Sequence, residues 1–428
     1  MDRTANPSRV AGLHPSRVVP SRPPTSLPST SIRWVTAVSL AGVLLAACGG
    51  GSVSKQLPVA STRPSSTSTS AGACSIVSRT TMAVTVENLT AVHFTSAVDG
   101  VALATGTCAQ RGPVKMAVSH DSGLTWKTTG NVLWKEAPLA QVAKEHVVAV
   151  SSQHVWASQP DGPLLETQDG GRQWETEPVP TPVDQLAVVG NTVWTLSCTA
   201  VGVQATSTCT PVVEQQSVEG GPWRRLALPI TSAFLGPTLD VVTPTTAVIF
   251  ATPNGAAPGS AGRLVVTTDG GAQWSAQPLP TVPNNWCNAG GTSFTAGSAT
   301  TWWLLCNGSA AAGSSQKALL QSTDGGGTWT TVAEVPDLQA LRSPGSLTRA
   351  DTTNVDAASP SLLWLASDIQ LTESTDGGSH WRTVPTVQLG GGGTVASFDV
   401  YSPNRAWLLE PFDALWSTTD GTTWSKLH

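Results

Sequence analysis

Charge is scarce in this chain. Charged residues fill 12% of its 428 positions, against about 25% in a typical soluble domain. Tyrosine occurs once, phenylalanine six times and methionine three times. No CxxC pair is present. His93, His120, His146, His154, His380 and His428 are scattered, and no His/Cys cluster has metal-ligand spacing, so neither a zinc site nor another metal is expected. No segment carries a helical stripe of apolar residues, which argues against helical domains. Only one long apolar run exists, at 34–47, so the rest of the chain is expected to be soluble.

That run, "WVTAVSLAGVLLAA", follows 33 residues rich in Arg, Pro and Ser that show no hydrophobic periodicity. It is shorter than the ~20 residues of a membrane span and fits a signal-peptide core. It ends in Leu45-Ala46-Ala47-Cys48 before three glycines. This resembles the bacterial lipobox, in which signal peptidase II cuts before the cysteine and the cysteine is lipidated. The resemblance implies lipidation at Cys48 and a location on the extracytoplasmic side of the cell membrane. Residues 48–72 then form a Ser/Thr/Pro linker too polar to fold, and 73–428 the folded domain. Removal of 1–47 leaves 18 basic against 27 acidic residues, a net −9. Such a balance offers no electrostatic footprint for nucleic acid.

Six cysteines follow Cys48, an even number that suits an oxidising compartment. Fifteen pairings are possible. Nearest-neighbour pairing gives Cys74–Cys108, Cys198–Cys209 and Cys287–Cys306.

What the chain has in plenty is Gly, Ser, Thr and tryptophan: 17 Trp beside a single Tyr. Many of these residues belong to a repeat. Ser119–Trp126, Thr167–Trp174, Thr267–Trp274, Ser322–Trp329 and Ser374–Trp381 each set a hydroxyl two before Asp, Gly two after it and Trp five after it. Ser217–Trp223, with Glu219 for Asp, and Thr418–Trp424 are shorter copies. The acids are Asp121, Asp169, Glu219, Asp269, Asp324, Asp376 and Asp420; the tryptophans are Trp126, Trp174, Trp223, Trp274, Trp329, Trp381 and Trp424. Their spacing of 44–55 residues is that of a propeller or other repeat array. Short Val/Leu/Trp-rich runs separated by Gly/Pro/Asn turns precede each copy, as strands do. Each unit reads as four antiparallel strands, and the whole as an all-β, seven-bladed propeller.

The pattern resembles the Asp-box, or bacterial neuraminidase, repeat over about residues 75–428. In that family the box is the hairpin between the third and fourth strands of a blade, on the rim away from the binding face. The residue types fit a structural part. A carboxylate and a hydroxyl can accept the N–H groups of a tight turn, glycine supplies positive φ, and Trp covers the hairpin. The fold hosts sialidases, xyloglucan-cleaving hydrolases, sortilin-type receptors and photosystem II assembly factors. A sialidase-like site would need an arginine triad and a tyrosine paired with an acid. The Arg-Ile-Pro motif of that family is absent, and Tyr401, with Asp399 and Arg405 near it, is the one candidate. A two-carboxylate glycosidase could draw on Asp99, Asp184, Asp240, Asp356 or Asp399, expected near the starts of inner strands, but nothing singles out a pair.

The single-domain photosystem-assembly-factor type is the nearest resemblance in architecture. The expectation is therefore a lipid-anchored, monomeric propeller, without cofactor, that binds a protein or glycan on the face opposite the boxes. A glycoside hydrolase is the alternative.

Overall fold

The computed structural model describes residues 83–105, 113–134, 145–159, 162–180, 182–201, 208–230, 234–253, 263–280, 282, 287, 293–311, 314–335, 354–367, 370–389 and 397–427. Cys48, Cys74, Cys108 and the linker lie outside them. The described residues form a seven-bladed β-propeller of four-stranded antiparallel blades. The first strands of blades 1–7, which surround the centre, are Leu89–Phe94, His146–Ala149, Val183–Val189, Phe234–Val241, Ser293–Ala296, Asn354–Ala357 and Ser397–Ser402. Blade 1 gains a fifth strand, Ala83–Val84, on the outer edge of Trp126–Trp134.

The core is divided among the blade interfaces. Seven buried clusters occur, one at each junction of neighbouring blades. This explains why second strands such as Trp302–Ala311 and Arg405–Glu410 begin as almost unbroken apolar runs. Both faces of an inner blade pack against other blades, so period-two alternation is lost.

Up-and-down strand order sets two faces. The first-to-second-strand turns and the third-to-fourth-strand boxes share one, here the box face. Backbone bonds join the two turns within a blade: Ser122 N–H to Val98 O, Gly170 N–H to Gln153 O, Gly270 N–H to Thr245 O, Gly325 N–H to Thr300 O and Gly377 N–H to Ser361 O. The remaining connections lie on the opposite, loop face.

The box geometry follows from its chemistry. The Ser374 hydroxyl donates to Asp376 Oδ1 at 2.9 Å and accepts the Gly378 N–H at 2.8 Å. Asp376 Oδ1 also accepts the His380 N–H at 2.9 Å, and the Trp381 indole closes the turn on Gly378 O at 2.8 Å. The hydroxyl and acid make the corresponding bonds around Asp121, Asp169, Asp269, Asp324 and Asp420. In blade 3 the Glu219 side chain is exposed, and the turn is held instead by Gly220 N–H to Ser217 O. Gly123 needs to be glycine twice over. Its φ is +88°, and a Cβ there would crowd Phe94, Leu415 and Leu427 at 3.1–3.2 Å.

Two disulfides are present among the described residues, Cys198–Cys209 and Cys287–Cys306, with Cα separations of 5.2 and 4.5 Å. Both match nearest-neighbour pairing. The first bridges adjacent strands of blade 3 at their loop-face end. The second ties the segment leading into blade 5 to that blade's second strand.

Candidate functional site in the pore

Inner strands of a propeller have one edge without a partner strand, and the N–H groups along it need acceptors. The sequence supplies them from the neighbouring blade. Thr295 Oγ1 accepts the Ala357 N–H at 3.0 Å, Ser293 Oγ the Val355 N–H at 3.3 Å, and Asp399 Oδ2 the Phe94 N–H at 2.5 Å. Gln185 Oε1 accepts the Leu239 N–H in the same way.

Five of these inner-strand positions form a polar arc at one register. His93, Asp240, Thr295, Asp356 and Asp399 each lie opposite the second or third residue of their blade's second strand: Val101, Val248, Trp303, Trp364 and Trp407. They belong to blades 1, 4, 5, 6 and 7, which are consecutive around the ring. The Thr295 hydroxyl donates to Asp356 Oδ1 at 3.1 Å, and His93 Nδ1 lies 3.4 Å from Asp399 Oδ1. Thr295 is buried, and the other four are partly solvent-accessible yet enclosed by the ring.

Enclosure shifts their protonation. Burial, reinforced by the Asp356 charge, pushes Asp240 up to about 7. Burial also raises Asp356 to about 6, against the Ala357 N–H and the Thr295 hydroxyl, which favour its charged form. At His93 burial works against the proton, but the Asp399 charge and hydrogen bond, with the Ala149 carbonyl, outweigh it and raise the imidazole. Burial lowers His146, at the start of blade 2, against an opposing bond to the Asp184 backbone. An arc of this kind can exchange protons near neutral pH and can receive a cationic group. Among the described residues no cluster of three or more His, Cys, Asp or Glu could hold a metal ion.

The structure separates the residues singled out from sequence. Asp399 lies in the arc and caps Phe94. Tyr401, two residues on, is 49% exposed beside the box-face turn. The Arg405 guanidinium lies 4.6 Å over the Trp407 ring and donates to Thr418 O at 3.3 Å. No bond joins the three among the described contacts. Of the other acids, Asp240 and Asp356 join Asp399 in the arc, inside their strands toward the box-face turn and not at the strand starts expected of them. Asp184 is exposed at a strand start, as expected. Asp99 is not: it follows the first strand of blade 1 on the box-face turn, bonded to Ser96 and His120. The hydrophobic run that suggested a strand start at Asp99 is the second strand.

Sequence reasoning missed an indole latch between blades. Trp303 Nε1–H donates to Gly377 O, Trp364 to Gly421 O and Trp407 to Ser122 O, at 3.0, 3.0 and 2.9 Å. Each joins the second strand of one blade to the box of the next. The signal was present as a Trp recurring in "TWWLLC", "SLLWLAS" and "RAWLLE".

No family model matches the chain, and no curated protein matches it in sequence. Solved structures share its fold. A protein described as YCF48 bound to D1 peptide superposes with a TM-score of 0.50 at 15% identity, over 79% of this chain and 96% of the other. YCF48 from Cyanidioschyzon merolae gives 0.44 at 14% identity, over 79% and 95%. An alpha-L-arabinanase of Penicillium chrysogenum complexed with arabinobiose gives 0.40 at 11%, over 64% and 90%. At these identities the likeness is one of fold: the protein is a seven-bladed β-propeller.

Proposed function

We propose that the protein is a propeller tethered to the cell membrane through lipid on Cys48, which binds a protein or glycan partner on its loop face, outside the cytoplasm, as a monomer. The observation that carries the binding reading is the placement of the disulfides. Both described ones fasten the loop face, while the described bonds of the box face are the hydrogen bonds of its turns and of the indole latches. Rigid support under loops is what a recognition surface needs, because it lowers the entropy lost on binding. The peptide complex of a protein sharing this fold supports a polypeptide as partner. The net −9 of residues 48–428 favours a partner with basic groups.

Photo-crosslinkers placed in the native cell at Asp184, Ser397 and Asp413, all exposed on the loop face, should give a discrete adduct. Equivalent probes at Ser379 and Thr422 of the boxes should not. Adducts from the boxes alone would defeat the reading. The tether has its own test: metabolic lipid labelling should disappear in Cys48→Ser, and unchanged labelling would remove the anchor.

A second reading, glycoside hydrolysis, is favoured by one observation. Asp240 and Asp356 are carboxyl groups of the arc raised toward neutrality by burial, Asp240 also by the charge of Asp356 and Asp356 by that of Asp399, as a general acid must be. Turnover of aryl glycosides by the purified protein, abolished in Asp240→Asn or Asp356→Asn, would establish it. No turnover is expected.

A further inference from the structure

Four large hydrophobic side chains are exposed among the described residues: Val98 (47%), Leu124 (55%), Val150 (39%) and Tyr401 (49%). All four lie on the box face, and they come from three consecutive blades. Tyr401 stands at the end of the first strand of blade 7. Val98 and Leu124 lie on the turn and the box of blade 1, which are joined by the Ser122 N–H to Val98 O bond at 2.9 Å. Val150 opens the corresponding turn of blade 2. The other blades contribute none.

Folding does not call for them. In the boxes built on aspartate, the residue three places after the acid is exposed: Arg172, Ala272, Gly327, Ser379 and Thr423 in blades 2, 4, 5, 6 and 7, and Leu124 in blade 1. Small or polar residues serve there, so a leucine facing water is a departure the turn does not need. Exposed apolar groups gathered in one place mark a surface that is covered in use.

Two further observations indicate what covers it. The described chain starts at Ala83, which pairs with Lys127 on the outer edge of blade 1. The segment running from Cys48 therefore joins the propeller on the blade that carries Val98 and Leu124. Two exposed basic side chains of blades 1 and 2 are also suited to anionic headgroups. Lys127 follows the blade 1 box, and Arg172 sits in the adjoining blade 2 box, whose backbone carbonyl accepts from Asn131 of blade 1 at 2.5 Å. The acids of these turns direct oxygens into the turns themselves: Asp99 toward His120 at 2.8 Å, Asp121 toward Ser119 and Thr125, and Asp169 toward Thr167 and the Gln173 N–H.

We propose that the box face of blades 7, 1 and 2 rests on the lipid surface, with Val98, Leu124, Val150 and Tyr401 at the headgroup boundary and Lys127 and Arg172 toward anionic lipid. This rests on lipidation at Cys48. The acyl chains hold the protein at the membrane; the patch sets which way it faces. If residues 48–72 stay unfolded, as their Ser/Thr/Pro composition leads one to expect, a chain of that length would have a root-mean-square reach of roughly 25–30 Å, and the tether alone would leave orientation free. Tyrosine suits the boundary, having an apolar ring and a polar tip. This orientation turns the loop face away from the bilayer, where a partner can reach it.

The test uses the full lipidated chain on vesicles of phosphatidylethanolamine and phosphatidylglycerol. An environment-sensitive fluorophore is attached at Ala97→Cys on the box face or at Asp413→Cys on the loop face, and quenched with iodide. Quenching at position 97 should fall severalfold on vesicles, with a blue shift in emission, while position 413 stays unchanged. A Val98→Ser/Leu124→Ser/Tyr401→Ser variant should still float with vesicles and melt normally but lose the protection. Equal quenching at both positions in protein that floats overturns the orientation and leaves the tether intact. Protein that does not float overturns both. Protection at position 97 that appears without vesicles, with a doubled mass in solution, makes the patch a self-association surface and overturns the proposal.

Discussion

Phe94 donates its backbone N–H to Oδ2 of Asp399 at 2.5 Å, across 305 positions of sequence. The bond joins the first strand of blade 1 to the first strand of blade 7. The same two blades are joined by the Phe94 ring stacked on Trp407 at 3.5 Å and by the Trp407 indole on Ser122 O. Blade 7 is built from residues 397–427 and shares no strand with blade 1, so closure of the ring rests on these side-chain contacts and on one backbone bond, Phe412 N–H to Leu89 O at 3.1 Å.

Asp399→Ala should accordingly destabilise the fold. The Phe94 N–H would lose a charged acceptor at a half-buried site, at a cost of about 1–3 kcal/mol. Asp399→Asn keeps an oxygen in place and should cost less. Denaturant melts of the two variants check the order; equal stability of Ala and wild type would show that the seam does not need the bond.

The boxes should contribute to stability in proportion to their bonds. Asp376→Ala removes the acceptor of the His380 N–H and of Ser374 and should cost about 1–2 kcal/mol. Trp381→Ala, truncating a buried indole, should cost about 3–5 kcal/mol. Glu219→Ala should lie within about 0.5 kcal/mol of wild type, because that side chain is exposed. Chemical denaturation of the three variants separates a carboxylate that holds a turn from one that merely occupies its place.

The indole latches give a paired comparison. Trp364→Phe retains most of the ring but leaves Gly421 O without its donor, and should lose about 1–3 kcal/mol. Trp156 is buried like Trp364, but its Nε1 has no hydrogen-bond partner. Trp156→Phe should therefore be the milder change. A melt in which the two variants lose equally would show that the loss is of volume, not of the latch.

Glu145 should make stability fall with rising pH. It is buried beside Thr90, whose hydroxyl lies 2.5 Å from Oε2, and burial pushes it up to about 7 against that bond. The folded chain thus holds this proton where the unfolded chain, with an ordinary carboxyl near 4.5, has released it. The group's favourable contribution is complete below about pH 4 and is lost progressively up to about pH 7. Over that window the change is on the order of 3 kcal/mol. Glu145→Gln removes the titration, so its thermal midpoint relative to wild type should rise between pH 4 and pH 8. A constant difference would show that Glu145 titrates normally.

Reduction should act on the loop face. Non-reducing peptide maps should recover Cys198–Cys209 and Cys287–Cys306. Breaking the pair that spans 11 positions should cost about 2–4 kcal/mol, the usual range for such a crosslink.

The number of blades, their four-stranded form and the place of the box turns were legible in the sequence. Those features are local. A hydroxyl, an acid, a glycine and a tryptophan within eight residues can satisfy one turn's N–H groups from within it, and the turn recurs at a nearly fixed interval. The pairing of Cys198 with Cys209 was legible for the same reason, since both lie on one hairpin. Tertiary structure alone decided the rest. Asp399 stood out in sequence by its closeness to Tyr401, yet its partner is the Phe94 backbone, which only closure of the ring brings near. Asp240 and Asp356 could not be told from other acids, because their raised protonation comes from burial within a ring built by blades 4 to 7. Leu124 looked like one more apolar residue. Its exposure depends on which face of the finished propeller its turn occupies, and no local pattern encodes that.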